Sequence, residues 1–515
     1  MGNRKEFAKR NIVWGVIYRI ISVLGPFVTR SLFISRLGAD YLGLNGLFTS
    51  VLQILSLAEL GFSSAIVFSM YKPAADGDVQ LVREYLAYFK KIYWCIGLIV
   101  LVAGVALIPF LSFFVKGDIP ENVDIRLAFI VYLINTAASY LTFAYKQSVL
   151  SAYQRNDFIS KASMLTVCMQ YTLQLLVLVL IPNYYLFIII LPITTVLNNC
   201  FLSTITDRVF PEYKSALLKG LTLEAARRAE IRKHVGGLMI NRICATTRDS
   251  IDSIVISTFL GLTAVAQYSN YFCVISSLFS VLTTINSAVG NSIGNSVATE
   301  TPAKNYHDLR LFTYMYAMVA CVCASCLAVL YQPFIKLWVG SDMLLPYGMM
   351  VLFCIYFYVR SIGDIRSLYE NATGIWWQMR WRMISEAALN VILNLILVNF
   401  FGIYGIVLAT IISLLCVNFL YGARLVFQLY FKNGKTTEHY LDHLLYALVT
   451  LASCFVCCII AGCVSDGNFI LLLLKALMTV CVSLAIECLF FFRTNRFRQM
   501  IDFIKGFFHV RTANE

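Results

Sequence analysis

Long runs of apolar residues, separated by short polar stretches, fill almost the whole chain. A helix that crosses a bilayer needs about 20 mainly apolar residues, whereas a strand of a membrane β-barrel has about 10 residues of alternating polarity. The runs here are long and do not alternate, so they predict helices. We expect an all-α polytopic membrane protein with about 14 transmembrane helices. The predicted spans lie near 11–35, 42–70, 88–115, 125–152, 160–181, 184–205, 236–259, 263–297, 309–338, 345–371, 378–400, 403–426, 440–463 and 467–492.

Composition and charge agree with this pattern. Of the 515 residues, 59% are hydrophobic and 13% are charged, whereas soluble domains have about 25% charged residues. Basic residues are concentrated in the segments 4–10, 72–91, 208–233 and 493–511. Because the cytoplasmic loops of membrane proteins collect Lys and Arg, we expect both termini in the cytoplasm. The net charge of +13 follows from this bias and requires no nucleic-acid partner.

The residues that usually carry catalysis or bind metals form no such pattern here. We find no P-loop, no Ser/His/Asp arrangement and no sizeable polar domain between the spans. The sixteen Cys lie mainly within or at the ends of apolar spans, where packing as small apolar residues explains them better than metal binding. The five His lie in loops, at span ends or in the tail. We therefore expect no enzyme activity, no catalytic residue, no metal site and no cofactor.

An internal repeat divides the predicted spans into two groups of six. The segment "PFLSFFVKGD" (109–118) matches "PFIKLWVGSD" (333–342) at four of ten positions. At offsets between 220 and 224 the following pairs also align: Gly38 with Gly261, Lys146 with Arg366, Gln170 with Asn390, and Gln174 with Asn394. Repeats of this kind are typical of transporters, with the substrate site between the halves.

This repeat predicts a domain organisation. We expect an N-lobe at 1–205 with helices 1–6, a cytoplasmic linker at 206–235 and a C-lobe at 236–430 with helices 7–12. Two added transmembrane helices follow at 440–492, and a cytoplasmic tail at 493–515.

The predicted organisation and the segment "SRLGADYLGLNGLFTSVLQILSLAELGFSSAIVFSMYKP" (35–73) resemble the polysaccharide transporter family. These are Wzx-type oligosaccharide flippases of the multidrug/oligosaccharidyl-lipid/polysaccharide exporter (MOP) superfamily. The resemblance implies a bacterial inner-membrane protein that moves undecaprenyl-diphosphate-linked oligosaccharides from the cytoplasmic to the outer leaflet by alternating access. It also implies a role in making capsule, exopolysaccharide or O-antigen-like polysaccharide. Na⁺ or H⁺ coupling, and polysaccharide polymerase or assembly proteins as partners, are further expectations.

Charged residues within the predicted spans are candidates for the substrate site, because a diphosphate would require Arg or Lys inside the bundle. Helix direction places several in the cytoplasmic half, on equivalent helices of the two repeats: Arg19, Lys146, Arg242, Arg360 and Arg366. We expect a diphosphate and sugar cavity that includes Arg19, Arg30, Lys146, Arg242, Arg248, Arg366, Gln170, Gln174, Asn390 and Asn394. Snorkelling to lipid phosphates is an alternative for Lys146 and Arg366.

Carboxylates within the spans are candidates for binding a coupling ion: Glu59, Asp249, Asp252 and Asp364. Ion pairing is the alternative for Asp252 and Asp364, which lie four residues after Arg248 and Arg360. Glu59 has no such partner in its own predicted helix.

Three other functions fit parts of the sequence. A lipid II flippase for peptidoglycan would share the fourteen helices and a cationic cavity. A drug or cation antiporter of the same superfamily would more often have twelve helices and an anionic cavity. A membrane-embedded polysaccharide polymerase would require a large outer loop with catalytic residues, and none is predicted here.

Overall fold

Helices form almost all of the computed structural model, which describes residues 4–56, 62–116, 120, 123–432, 434–465 and 467–512. No strand occurs among these described residues. The helices are α1 (Arg4–Leu37), α2 (Ala39–Leu55), α3 (Phe62–Asp76), α4 (Val79–Leu107), α5 (Ile125–Leu141), α6 (Gln147–Ala152), α7 (Asn156–Leu180), α8 (Tyr184–Val209), α9 (Ala225–Leu260), α10 (Leu262–Thr299), α11 (Pro302–Val339), α12 (Tyr347–Ser361), α13 (Asp364–Thr373), α14 (Trp376–Phe401), α15 (Ile403–Ser413), α16 (Gly422–Val426), α17 (Thr436–Gly462), α18 (Phe469–Phe491) and α19 (Asn495–Thr512).

The helices confirm the predicted fold class. Within the described part of the chain, eleven are long and apolar enough to cross a membrane, and the bent pair α5 and α6 raises this to twelve. The predicted spans 42–70 and 236–259 fall on α2 with α3 and on α9, which are not among these twelve. The count agrees roughly with the predicted fourteen, and the chain is a multi-pass membrane protein.

The chain divides into two compact units, Met1–Ser269 (unit 1) and Asn270–Glu515 (unit 2). Unit 1 contains α1 to α9 and the start of α10, and the ring of Phe48 packs edge-on against Phe129 in its core. Unit 2 contains the rest of the chain. There, Tyr314, Tyr446 and Phe491 bring α11, α17 and α18 together in a buried aromatic cluster.

Two glycines that align in the repeat have the same backbone conformation. Gly38, between α1 and α2, has φ 108° and ψ 166°, and Gly261, between α9 and α10, has φ 97° and ψ 176°. Residues with side chains rarely adopt a positive φ of this kind, so glycine is required at both junctions. Both glycines thus allow one long helix to stop and the next to start immediately.

Two helices that align in the repeat are both broken, and each carries a cation just after the break. The axis bends by 44° between α5 and α6, with Phe143 at a φ of 50°. The predicted span 345–371 is interrupted more mildly, at Ile362 and Gly363 between α12 and α13, which still form one apolar span. Lys146 follows the first interruption and Arg366 the second.

Candidate functional site

A cavity of about 380 Å³ lies inside unit 1, among α1, α4, α5, α6, α7 and α8. Two of its lining residues are apolar, Ala144 and Val167, and the others carry hydroxyl or amide groups. None of the described residues that line it is charged. The polar ones are Tyr18, Tyr93, Tyr140, Ser139, Ser163, Thr166, Thr194, Thr195, Gln147, Gln170, Asn198 and Asn199. The cavity therefore suits a ligand that is polar but carries no net charge.

Hydroxyl groups hold two of the lining amides in place. Thr166 Oγ1 donates a hydrogen bond to Asn198 Oδ1 (3.1 Å), and Thr194 Oγ1 donates to Gln170 Oε1 (3.5 Å). The amide of Asn199 donates to Thr142 Oγ1 (2.9 Å). Thr194 Oγ1 also donates to the Ile190 carbonyl at 2.8 Å and Thr166 Oγ1 to the Ala162 carbonyl at 3.0 Å, so each hydroxyl is shared between its own helix and the amide. Among the described residues that line the cavity, Gln170 is the one that the sequence predicts as a site residue.

Gln174 and Lys146, two other predicted site residues of unit 1, are buried instead of open to the cavity. Gln174, one turn after Gln170, is 3% exposed. Lys146 is 1% exposed, and its Nζ donates to both carboxylate oxygens of Asp207, at 2.6 and 2.5 Å. Asp207 lies at the end of α8. The charge of Lys146 is thus neutralised within the protein, which argues against snorkelling.

Arg366, the predicted counterpart of Lys146 in unit 2, is also buried and paired. Its Nη2 lies 3.2 Å from Glu370 Oε1 and donates to Asn418 Oδ1 at 2.9 Å. Nη1 donates to the Asn418 carbonyl at 2.6 Å, in a wide π-helical stretch, Leu414–Tyr421. Gly422 provides the space, since a Cβ there would lie 2.2 Å from Nη1.

The ion pairing continues from Arg366 into α14. Glu370 Oε2 accepts from Arg382 Nη2 (3.3 Å), and Arg382 Nη1 donates to Glu386 Oε2 (3.0 Å). Each of these side chains is less than a tenth exposed. Buried charges are tolerated in a membrane when they are paired in this way. Together with Arg366 they form what we call the unit 2 charge network: Arg366, Glu370, Arg382 and Glu386.

The predicted amides of unit 2 lie beside this network, on α14. Asn390 Nδ2 donates to Thr410 Oγ1 (3.0 Å), and Asn394 Nδ2 donates to Asn390 Oδ1 (3.3 Å). Both asparagines are fully buried. Asn390 joins α14 to α15, and neither asparagine lines the described cavity of about 210 Å³ in unit 2.

The predicted cations of α1 and α9 differ in their surroundings, all within unit 1. Arg19 and Arg242 are exposed. Arg30 is partly buried and donates to Ser269 Oγ at 3.2 Å. Arg248 lies 3.3 Å from Asp249, its neighbour in sequence. The structure thus leaves Arg19 and Arg242 more accessible than the three cations that contact acidic groups: Lys146, Arg248 and Arg366.

The predicted ion-coupling carboxylates accept hydrogen bonds from tyrosines in two cases. Asp252 Oδ2 accepts from the Tyr268 hydroxyl at 2.9 Å in unit 1. Asp364 Oδ2 accepts from Tyr316 at 2.6 Å and from Asn286 at 3.2 Å in unit 2. Glu59 lies outside the described residues.

Three features were not predicted from sequence. Asp207, the partner of Lys146, lies sixty-one residues away in the chain. Asn198 of the cavity lies beside Asn199 and one turn after Thr194 and Thr195, on a polar part of α8 that was not among the predicted site residues. His439 and His443 are buried in α17 with their rings 4.5 Å apart, although the sequence placed them only near a span end. The i,i+4 spacing was the one available indication for the histidine pair.

The fold defines a class, an α-helical multi-pass membrane protein, and solved structures of transporters resemble it in fold. The structure of "Lipid II flippase MurJ, inward closed conformation" is similar, with a TM-score of 0.67 at 16% identity. The match covers 93% of this chain and 99% of MurJ.

Two multidrug transporter structures are also similar in fold. An inward-facing multidrug resistance MATE family transporter of the MOP superfamily has a TM-score of 0.63 at 15% identity, over 82% of this chain and 99% of its own. A mutant form of the Vibrio cholerae MATE transporter VcmN has a TM-score of 0.57 at 14% identity, over 84% of this chain and 98% of its own. No protein-family model matches the sequence, and no curated protein is similar to it in sequence. At these identities the likeness concerns the fold.

Proposed function

We propose that the protein is a flippase that moves lipid-linked oligosaccharides across a membrane by alternating access. The observation that carries this proposal is the cavity of unit 1, with its polar, uncharged lining, in a fold shared with a lipid II flippase. Sugars present many hydroxyl groups, and sites that bind them supply hydroxyl and amide partners. The cavity of unit 1 supplies such groups, which supports transport of a sugar-containing lipid.

The same cavity argues against a drug or cation antiporter. A cationic ligand in a low-dielectric membrane site requires a nearby carboxylate to offset its desolvation. No carboxylate is among the described residues that line the cavity. The carboxylates nearest to the predicted cations are engaged with them, as in the pair of Lys146 and Asp207.

The substrate and the cellular location in this proposal come from the resemblance to the polysaccharide transporter family. The substrate is an undecaprenyl-diphosphate-linked unit for capsule, exopolysaccharide or O-antigen-like polysaccharide, moved to the outer leaflet of a bacterial inner membrane. The exposed side chains of Arg19 and Arg242 are the best candidates to bind the diphosphate, because Lys146 and Arg366 are neutralised by carboxylates. Among the described residues, Asp249, Asp252 and Asp364 are the candidates for Na⁺ or H⁺ coupling.

A lipid II flippase is the second candidate. The MurJ structure matches 93% of this chain, whereas the two MATE structures match 82% and 84%, and this greater coverage supports the second candidate. A lipid II flippase would carry one particular lipid-linked sugar. Replacing the cell's own lipid II flippase with this protein distinguishes the two candidates, because only a lipid II flippase would sustain growth.

Proteoliposomes provide the direct test. Purified protein is reconstituted with a fluorescent undecaprenyl-diphosphate-linked oligosaccharide, and the fraction that an external glycosidase can reach is followed over time. Lipid in the inner leaflet is protected from the glycosidase. We expect this protected fraction of the lipid to fall from about half to near zero only in vesicles that contain the protein. Arg19→Ala and Arg242→Ala should slow this at least several-fold at equal protein incorporation. A rate equal to that of empty vesicles would refute the proposal.

A further inference from the structure

The cavity of unit 1 and the charge network of unit 2 occupy aligned positions in the internal repeat. An offset of 220 residues aligns Lys146 with Arg366 and Gln170 with Asn390. The same offset pairs Thr166 with Glu386 and Asn198 with Asn418. Thr166, Gln170 and Asn198 line the cavity, whereas their three counterparts are in or beside the charge network.

One contact is common to the two places. In unit 1, Thr166 Oγ1 bonds to Asn198 Oδ1 at 3.1 Å. In unit 2, the aligned residues Glu386 and Asn418 also form a bond, of 2.8 Å, from Asn418 Nδ2 to Glu386 Oε2. The alignment therefore matches positions that are equivalent in space within each unit.

The two units differ in the charge of the side chains at these aligned positions. In unit 2, Glu386 accepts from Arg382 and from Asn418, and Asn390 donates to Thr410. The aligned residues of unit 1, Thr166, Asn198 and Gln170, are neutral and line the cavity. Its volume of about 380 Å³ lies within the range of roughly 300–1,000 Å³ typical of small-ligand sites.

The polar groups around this cavity are arranged to donate hydrogen bonds. The oxygens of Asn198 and Gln170 lie next to threonine hydroxyls, at 3.1 and 3.5 Å, so the NH₂ group of each side chain is the function left for a ligand. These two NH₂ groups have no hydrogen-bond partner among the described residues, and neither do the side chains of Gln147 and Tyr18. A matching ligand must offer acceptors.

We propose that this cavity binds the uncharged sugar part of the transported lipid, with Gln170 and Asn198 as its hydrogen-bond donors. The inference rests on the proposed flippase function and adds the part of the substrate that unit 1 recognises. Hydroxyl and ring oxygens of a sugar accept hydrogen bonds from amide donors, and tyrosines such as Tyr18 offer apolar ring faces. A diphosphate is excluded from this place, because no lining cation among the described residues offsets its charge.

Binding of free sugars to the full-length protein in detergent tests the proposal. The probes are N-acetylglucosamine, glucose, maltose and N,N′-diacetylchitobiose, measured by saturation-transfer NMR, with inorganic pyrophosphate as the charged probe. We expect at least one sugar to bind saturably and pyrophosphate not to compete with it. Gln170→Met and Asn198→Leu should each weaken sugar binding about 5- to 10-fold, as expected for the loss of one hydrogen bond.

Gln174→Met is the matched control, since Gln174 is on the same helix but buried away from the cavity. It should leave sugar affinity unchanged. Thermal unfolding of each variant verifies that it is folded, and Asn198→Leu is an independent test if Gln170→Met does not fold. The proposal is overturned if no sugar binds, if pyrophosphate competes, or if folded Gln170 and Asn198 variants bind like the unmodified protein.

The proteoliposome assay separates this inference from the proposed function. Normal flipping by the Gln170→Met/Asn198→Leu double variant would reject the sugar site and leave the flippase function intact. Sugar binding without any lipid flipping by the unmodified protein would reject the flippase function and leave the site. Flipping that is slowed in the double variant but not in Gln174→Met supports both.

Discussion

Individual charged residues in this protein are best understood through their partners. Lys146 and Arg366 are each about 1% exposed, and each is paired with a carboxylate. An unpaired charge at the centre of a bilayer costs about 2.5–3.5 kcal/mol on insertion scales. Removing one partner of a buried pair therefore costs far more than removing both. This difference separates a structural pair from a substrate ligand.

The pair of Lys146 and Asp207 makes this distinction testable. Asp207→Asn would leave the Lys146 ammonium buried without its counter-ion, so we expect a loss of about 3 kcal/mol and a lower unfolding temperature. The double variant Lys146→Met/Asp207→Asn should recover most of that stability. Thermal unfolding in detergent measures both. A double variant no more stable than Asp207→Asn would show that the pair does not act as a unit.

Gly422 provides a second test, at the contact with Arg366. A Cβ at this position would lie 2.2 Å from Arg366 Nη1, so Gly422→Ala must displace the guanidinium from the carbonyl of Asn418. We expect a loss of roughly 2 kcal/mol, because a buried charged group loses its hydrogen bonds. In an Arg366→Met background the same change should cost much less. Equal costs in the two backgrounds would contradict the proposed contact.

At the scale of elements, close approach of helices depends on glycines. Gly43 of α2 faces the start of α10, where a Cβ would lie 2.1 Å from the carbonyl oxygen of Leu262. Thr263 donates to Asp40 beside this contact, and Ser250 of α9 donates to Gln53 at 3.0 Å. Within unit 1, α2 is thus held against α9 and α10 by a tight, partly polar contact.

Replacing Gly43 by Ala should therefore separate α2 from α10. The neighbour is backbone and cannot rotate away as a side chain could, so we expect a loss of about 1–3 kcal/mol, typical of overpacking. Gly15→Ala on α1 is the control, because nothing lies within 4 Å of its added Cβ. Unfolding temperature and membrane abundance are the measurements. Equal behaviour of the two variants would mean that the Gly43 contact is not as close as described.

At the scale of the whole molecule, the two units use aligned residues for different purposes. Unit 1 leaves a polar cavity where unit 2 has a buried salt-bridge network. Thr166 beside the cavity aligns with Glu386 of the network, and Asn198 aligns with Asn418. Neutral residues at these positions leave the described cavity lining of unit 1 without the charged groups of unit 2.

The orientation of the whole chain is also testable. Basic residues at 4–10 and 493–511 predict that both termini face the cytoplasm. A green fluorescent protein fused after the tail should be fluorescent, and alkaline phosphatase at the same place should be inactive. The reverse result would invert the predicted topology. A phosphatase fused near 183, in the short turn between α7 and α8, should be active and serves as the control.

The sequence by itself determined the fold class and most helix bounds. A run of about 20 apolar residues is stable in a bilayer mainly as a helix, because a helix satisfies all of its own backbone hydrogen bonds. The predicted spans 184–205 and 440–463 lie within or very near α8 and α17. The break in 345–371 was not predicted, since Gly363 is an ordinary residue in membrane helices. Ion pairs within one helix can also be predicted from the sequence, because Arg366 and Glu370 lie four residues apart.

Tertiary structure alone decided which polar residues are satisfied by the protein and which line a cavity. Gln170 and Gln174 are alike in sequence, yet the first lines the cavity and the second is buried. The sequence predicts Lys146 as a ligand for phosphate, but Asp207, distant in the chain, lies beside it and neutralises its charge. Burial and pairing depend on helices brought together from across the sequence, and helical periodicity describes only one helix at a time.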